Sequence, residues 1–178
     1  MIILVGPSAS GKTEIAKILI KEYGYQKFVT TTTRNIRINE KDNVDYHFIN
    51  KDQFINKIKN DEFIEYVSYN DNFYGTEKNE IDKNKVLIVE PQGLKHFKTL
   101  NDPSIVSFYI SVKKEIRKER MIRRQDKIED INKRLICDDK VFNNDILDFV
   151  DFTIENNETS LKEISSTINE IYKKVAIL

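Results

Sequence analysis

The chain has 178 residues, enough for one α/β domain with its own core, and its 29 Lys+Arg balance its 29 Asp+Glu. That zero net charge gives no electrostatic reason to expect a nucleic-acid or membrane partner. A single cysteine, Cys137, excludes an internal disulfide and fits a reducing compartment, and there is neither a signal peptide nor an apolar run near 18 residues. Residue 1 leads straight into an apolar run, so no targeting segment is expected and the cytoplasm is the default location.

In chain order, Met1 to Val5 reads as a strand. Gly6-Pro7-Ser8-Ala9-Ser10-Gly11-Lys12-Thr13 follows and fits G-x-x-x-x-G-K-[ST]. Ile15, Ala16, Leu19 and Ile20 then take up helical spacing. Strand, glycine-bearing loop and helix are the context that this motif requires. Backbone N–H groups at Gly6, Ser8, Ala9, Ser10 and Gly11, with the positive end of the new helix, suit a polyphosphate. Lys12 is placed on its β/γ-phosphates and the Thr13 hydroxyl on Mg²⁺.

A short strand is expected near 26–29. Residues 30–45 are polar and rich in both charges, and are read as unable to be core. Then come a strand at 46–49, a helix at 51–60, a strand at 63–69, a turn at 70–72 and a partner strand at 73–76. Residues 86–89 and 105–110 are continuous apolar runs, as buried parallel strands are. Helices are predicted near 94–100, at 113–124 (strongly basic), at 128–145 and at 161–174, with a last strand at 149–154. The fold class expected is α/β, a three-layer phosphate-loop NTPase fold with a mainly parallel sheet. A small mixed acceptor-binding insert and a helical lid complete it. The boundaries are a core of about 1–29, 84–112 and 135–178, an insert of about 30–83 and a lid of about 113–134.

Within the insert, Arg34 and Arg37 stand beside threonine hydroxyls, a pairing that suits a phosphate dianion. Taken singly, these arginines could be solvated, and Tyr46 and Tyr74 could be ordinary half-buried strand residues. The order of motifs resembles the guanylate kinase family. It runs through Thr32-Thr33-Arg34-Asn35-Ile36-Arg37-Ile38-Asn39-Glu40, Asp45-Tyr46-His47-Phe48, Phe63-Ile64-Glu65 and Tyr74-Gly75-Thr76. It continues into Gln92-Gly93, Ile131-Asn132-Lys133-Arg134-Leu135 and Ile154-Glu155-Asn156-Asn157.

The resemblance implies transfer of the γ-phosphate of ATP to GMP, with Mg²⁺ as cofactor and the two nucleotides as small-molecule partners. It implies that Arg34, Arg37, Tyr46 and Tyr74 hold the GMP phosphate and that Glu40 orients the arginines. Glu65, with the hydroxyls of Thr30 and Thr76, reads the guanine. Arg120, Arg124 and Arg134 reach the ATP phosphates, and Asn156 lies near the adenine. Arg117 and Arg123, in the same basic helix, are read as solvated.

The chain departs from the family pattern at several positions. Thr30 stands for a serine, and Asn39 and Asn43 for glycines. Glu90 replaces the second aspartate of D-x-D-x-Q-G, still placed to meet Mg²⁺ through water. Ile88 replaces the first, which in the family helps bind the guanine amino group. An isoleucine cannot accept a hydrogen bond, at a cost of about 1–3 kcal/mol. Ile88 thus leaves open a shifted acceptor, another nucleoside monophosphate or ribose 1,5-bisphosphate. A non-catalytic interaction module is the other class, disfavoured because Gly6, Gly11, Lys12 and Thr13 are all kept. The N-K-x-D signature of GTPases is missing. His47, His96 and Cys137 are assigned no chemistry.

Overall fold

In the computed structural model, all residues but 37, 39, 70, 143, 177 and 178 are described. The expectations for Arg37 and Asn39 therefore lie outside the described residues. The apolar run at the start forms β1 (Ile2–Val5), every residue of it buried. Alternation along a strand sends Ile2 and Leu4 to one face and Ile3 and Val5 to the other, so this strand feeds two cores. Helix α1 (Lys12–Tyr23) follows the glycine loop, and Gly24 ends it in the left-handed region, φ 77°. β2 (Gln26–Lys27) is the short edge strand of the same sheet.

The insert begins with β3 (Thr31–Thr32) and β4 (His47–Phe48), then α2 (Lys51–Lys59), β5 (Phe63–Tyr69) and β6 (Asn72–Glu77). Its strands lie in the order β4-β3-β6-β5, with β3 antiparallel to β6 and parallel to β4. Asn50 opens α2 with a capping box to Gln53, which satisfies two N-terminal donors reciprocally. Phe54 stacks between Phe63 and Phe73, with ring centroids 4.4 and 5.3 Å away, and gives the insert its own small core. One expectation is corrected here. Thr31 and Thr32 lie in the segment read as unable to be core, yet both are fully buried. Their hydroxyls make this tolerable: Thr31 donates to Glu77, and Thr32 to the Phe73 carbonyl at 2.9 Å.

The chain returns to the main sheet as β7 (Lys85–Ile88) and continues into α3 (Pro91–Thr99). This helix starts three residues before the expected 94, because Pro91 at its first position is pre-set for helical φ. β8 (Val106–Ser111), α4 (Lys114–Arg123), α5 (Ile128–Val141), β9 (Phe152–Glu155) and α6 (Leu161–Val175) complete the fold. α5 stops short of the expected 145. Phe142 and Ile146 turn into the core beside Ile3 and Leu94, so the chain passes through a 3₁₀ segment, Asn144–Phe149, before β9.

The main sheet is parallel, in the order β2-β7-β1-β8-β9. α1 and α6 cover one face through Ile15, Leu19, Ile164, Ile168 and Tyr172. α3 covers the other through Leu94 and Phe97. Parallel strands put all their carboxyl ends on one side. The glycine loop after β1, Glu90 after β7 and Asn156 after β9 therefore meet along that edge. Among the described residues no helix is long and apolar enough to cross a membrane.

Candidate active site

The loop after β1 turns back on itself. Gly6 has φ 152° and Gly11 φ 96°, and a Cβ at either would lie 2.7 Å from a neighbouring atom, Ile110 O or Asn156 Nδ2. Only glycine fits both positions. Lys12 Nζ donates to the carbonyls of Gly6 at 2.6 Å and Pro7 at 2.9 Å, and to Ser10 Oγ at 3.4 Å. Burial holds this ammonium below the ordinary lysine range. Glu90 and Asp138 oppose the shift, and Arg117 adds to it.

A cavity of about 500 Å³ opens over this loop, lined by Gly11, Lys12, Thr13, Arg120, Arg124 and Asn156 among others. Arg120 is partly buried against the loop. Its Nη1 donates to Ala9 O at 3.3 Å, and its Nη2 to Asn156 O and Oδ1 at 2.9 and 3.2 Å. Asn156 is fully buried, and its Nδ2 donates to Ser10 O at 2.8 Å. Its side chain is thus spent on the loop and on Arg120, at the floor of the cavity. Arg124 and Arg134 are half exposed and converge instead on one carboxylate. Both contact Asp126 Oδ2, Arg124 Nη2 at 2.6 Å and Arg134 Nη1 at 3.1 Å.

Across the cleft the insert gathers its own charges. Arg34 Nη2 donates to Glu40 Oε1 at 2.7 Å. The guanidinium lies 5.5 Å from the Tyr46 ring centroid, and the Glu40 hydrogen bond, with Tyr74 nearby, pushes its pKa up. The Tyr46 and Tyr74 rings pack edge to face at 6.2 Å. A cavity of about 430 Å³ runs from Thr13 to Thr30, Glu40 and Tyr46. It adjoins one of about 280 Å³, lined by Thr30, Glu65, Thr76, Ile88, Glu90 and Gly93. Thr13 borders both the first and the second of these spaces, and Thr30 and Ile88 border both the second and the third, so the three run in series from the glycine loop to Glu65. Another concavity, about 640 Å³, lies at the amino ends of β8 and β9, away from all these groups.

Three residues given no role by the sequence reading lie at this site. His96, on α3, holds Glu65, Nδ1 to Oε2 at 2.8 Å. It stands 31 residues from its partner, and no local pattern announces the contact. Arg117 is corrected from solvated to buried, 5% exposed, with Nη1 donating to Asp138 Oδ2 at 2.8 Å. Asp138 in turn accepts from Ser8. A signal was present here: Asp138 continues the Ile131, Leu135 stripe of α5, and Arg117 lies one turn before Met121 on α4. A charge on an apolar stripe asks for a buried partner.

Thr13 and Glu90 flank Lys12, and neither side chain makes a hydrogen bond among the described residues. A hydroxyl and a carboxylate are hard oxygen donors that fit Mg²⁺. No group of three or more His, Cys, Asp or Glu suited to holding a metal occurs among the described residues.

Known proteins resemble this chain over most of its length. The family model described as guanylate kinase matches residues 1–174. The guanylate kinase of Clostridioides difficile is 36% identical, over 99% of this chain and 90% of its own length. That of Mycoplasma genitalium is 33% identical, over 95% of this chain and 72% of its own. The crystal structure of guanylate kinase from Anaplasma phagocytophilum superposes over 100% of this chain and 86% of its own, with a TM-score of 0.69 at 23% identity. Shikimate kinase from Acinetobacter baumannii, at 14% identity, shares the fold with a TM-score of 0.56, over 97% of this chain and 92% of its own.

Proposed function

The chain belongs to the guanylate kinase family, and we propose from this premise that it transfers the γ-phosphate of ATP to GMP, giving ADP and GDP. One observation supports the reading best. Thr13 of the glycine loop and Glu40 and Tyr46 of the insert line one cavity, which meets the cavity of Glu65 and Thr76 at Thr30 and Ile88, and Glu40 holds Arg34.

A GMP phosphate oxygen attacks the γ-phosphorus while the bond to the bridging oxygen of ADP breaks, and charge spreads over the transferred oxygens. The protein's task is to align the two phosphates and neutralise that charge. The loop amides from Gly6 to Thr13 cradle the ATP phosphates. Lys12 exchanges its bonds to the Gly6 and Pro7 carbonyls for β/γ-oxygens. Arg34, aimed by Glu40, holds the GMP phosphate with Tyr46 and Tyr74, and Arg37 is assigned beside it from its place in the sequence. Thr30, Glu65 and Thr76 read the guanine in the smallest cavity, with His96 fixing the Glu65 carboxylate. Arg120 serves the ATP phosphates from where it stands. Arg124 and Arg134 leave Asp126 for the phosphates when residues of about 113–134 close as a lid, and the insert of about 30–83 closes from the other side. Asn156 supports the loop at the ATP cavity.

Thr13, and Glu90 through water, would hold Mg²⁺, which would supply neutralisation of the phosphate charge. ATP and GMP are the partners proposed, and the cytoplasm is the compartment proposed.

The test is ADP formation with ATP and Mg²⁺ across GMP, dGMP, AMP, UMP, CMP and ribose 1,5-bisphosphate. GMP should give the highest kcat/KM, and Lys12→Ala should abolish turnover without unfolding the chain. A different winning acceptor would remove the guanine roles of Glu65 and Thr76. Loss of no activity in Lys12→Ala would remove the assignment of the loop.

A further inference from the structure

The Arg117–Asp138 pair is the most deeply buried ion pair among the described residues, its side chains 6% and 10% exposed, and nothing in the reaction above uses it. Asp138 grips one residue of the glycine loop with both carboxylate oxygens. Ser8 N donates to Oδ2 at 3.0 Å and Ser8 Oγ to Oδ1 at 3.2 Å. Arg117 Nη1 holds Oδ2 at 2.8 Å from the far side, and its Nη2 lies 3.7 Å from Asp139. The next loop residue, Ala9, has φ 60°, a left-handed conformation that a side chain disfavours. Ala9 packs on Met121, Ile131 and Leu135, the small core between α4 and α5. Two consecutive loop residues are thus docked on the base of this helix pair, one by charge and one by apolar contact.

A buried ion pair is no cheaper than two apolar side chains of similar volume, so its presence needs a reason other than stability. Its geometry offers one, because a carboxylate directs a backbone N–H and an apolar side chain cannot. We propose that Arg117 and Asp138 are positioning residues for ATP: Asp138 fixes the phosphate loop at Ser8, and Arg117 holds Asp138 in place. The inference rests on the nucleotide-binding reading of the loop but not on the identity of the acceptor.

The test compares two double variants. Arg117→Met with Asp138→Leu keeps volume and removes direction. Arg117→Gln with Asp138→Asn removes charge but keeps an oxygen acceptor for Ser8. Each is titrated with ATP and Mg²⁺ by competition against a fluorescent ATP analogue, and KM for ATP and for GMP is measured. The apolar pair should bind ATP about tenfold more weakly with KM for GMP within about twofold, while the amide pair stays within about threefold of the parent chain. Unchanged ATP affinity in the apolar pair at matched Tm overturns the proposal, as does a parallel rise of both KM values with a falling Tm. A measurement on the unaltered chain stands apart from how the variants fold. The Ser8 amide should be protected from hydrogen exchange without nucleotide, and free exchange there overturns the proposal too. A parent chain that binds ATP but does not phosphorylate GMP would refute the acceptor assignment and leave this inference open to the same titration.

Discussion

Lys12 illustrates how a single side chain is set by its surroundings. The motif predicts a lysine at the phosphates. Burial, the proximity of Arg117 and the opposing charges of Glu90 and Asp138 then decide its protonation. Its pKa lies below the ordinary lysine range, so the ammonium that ATP needs is lost earlier on the alkaline side than it is for a free lysine. KM for ATP should therefore rise with pH before pH 10 is reached; a flat profile up to the ordinary lysine pKa of about 10.4 would contradict this. In the nucleotide-free chain the sign for stability is opposite. A depressed lysine pKa means that the folded state binds fewer protons, so stability rises with pH between the folded and unfolded values. Ile88 makes a second point at this scale. It lines the same cavity as Glu65 and Thr76, where an acceptor for an exocyclic amine is missing from its position. Ile88→Asp should raise the preference for GMP over inosine monophosphate, which lacks that amine, about tenfold in kcat/KM. An unchanged ratio would place the amine elsewhere.

Among the elements, the insert depends most on tertiary detail. Its strands are short, and two of them, β3 and β4, are two residues each. Strands this short are held by their neighbours, β3 by β4 and β6, while the Phe54 stack holds β5 and β6. Gly75 sits under that stack, where a Cβ would lie 2.6 Å from Phe63 and 2.9 Å from Phe54. Gly75→Ala should cost about 1–3 kcal/mol by overpacking and should weaken GMP binding more than ATP binding. The readouts are Tm and the two KM values. A parallel loss in both nucleotides would mean that the disturbance spreads beyond the insert. The amphipathic helices and the strong apolar runs of this chain were legible, because their spacing is a local property. Thr31 and Thr32 were not, since two threonines in a charged stretch become core only when Glu77 and the Phe73 carbonyl arrive to accept from them. The early end of α5 was hidden for a similar reason: Phe142 and Ile146 stand four apart, as in a helix, but the chain leaves the α-helix there to reach a core built by β1 and α3.

At the scale of the molecule, the glycine loop and the Arg34 cluster belong to different sheets, and Arg124, which lines the ATP cavity, shares Asp126 with Arg134. Both guanidiniums are half exposed and solvent screens such pairs, so phosphate can displace Asp126 readily. ATP analogue and GMP together should therefore close insert and lid and reduce the radius of gyration in solution scattering, relative to the nucleotide-free chain. An unchanged radius would contradict the lid and insert motions. By itself the sequence determined the phosphate loop, the alternation of buried strands with helices, and the order of motifs that carries the family. Each of these is written in neighbouring residues or in a period of two or of 3.6. Only the tertiary structure decided that His96 meets Glu65, that Asn156 supports Ser10 and that Arg117 and Asp138 anchor Ser8. Those contacts join residues 31, 146 and 130 or fewer positions apart. The stripes of α4 and α5 signal that Arg117 and Asp138 are buried, but no local pattern names any of these partners: the parallel sheet brings Asn156 after β9 to the loop after β1, and packing of the insert on α3 brings Glu65 to His96.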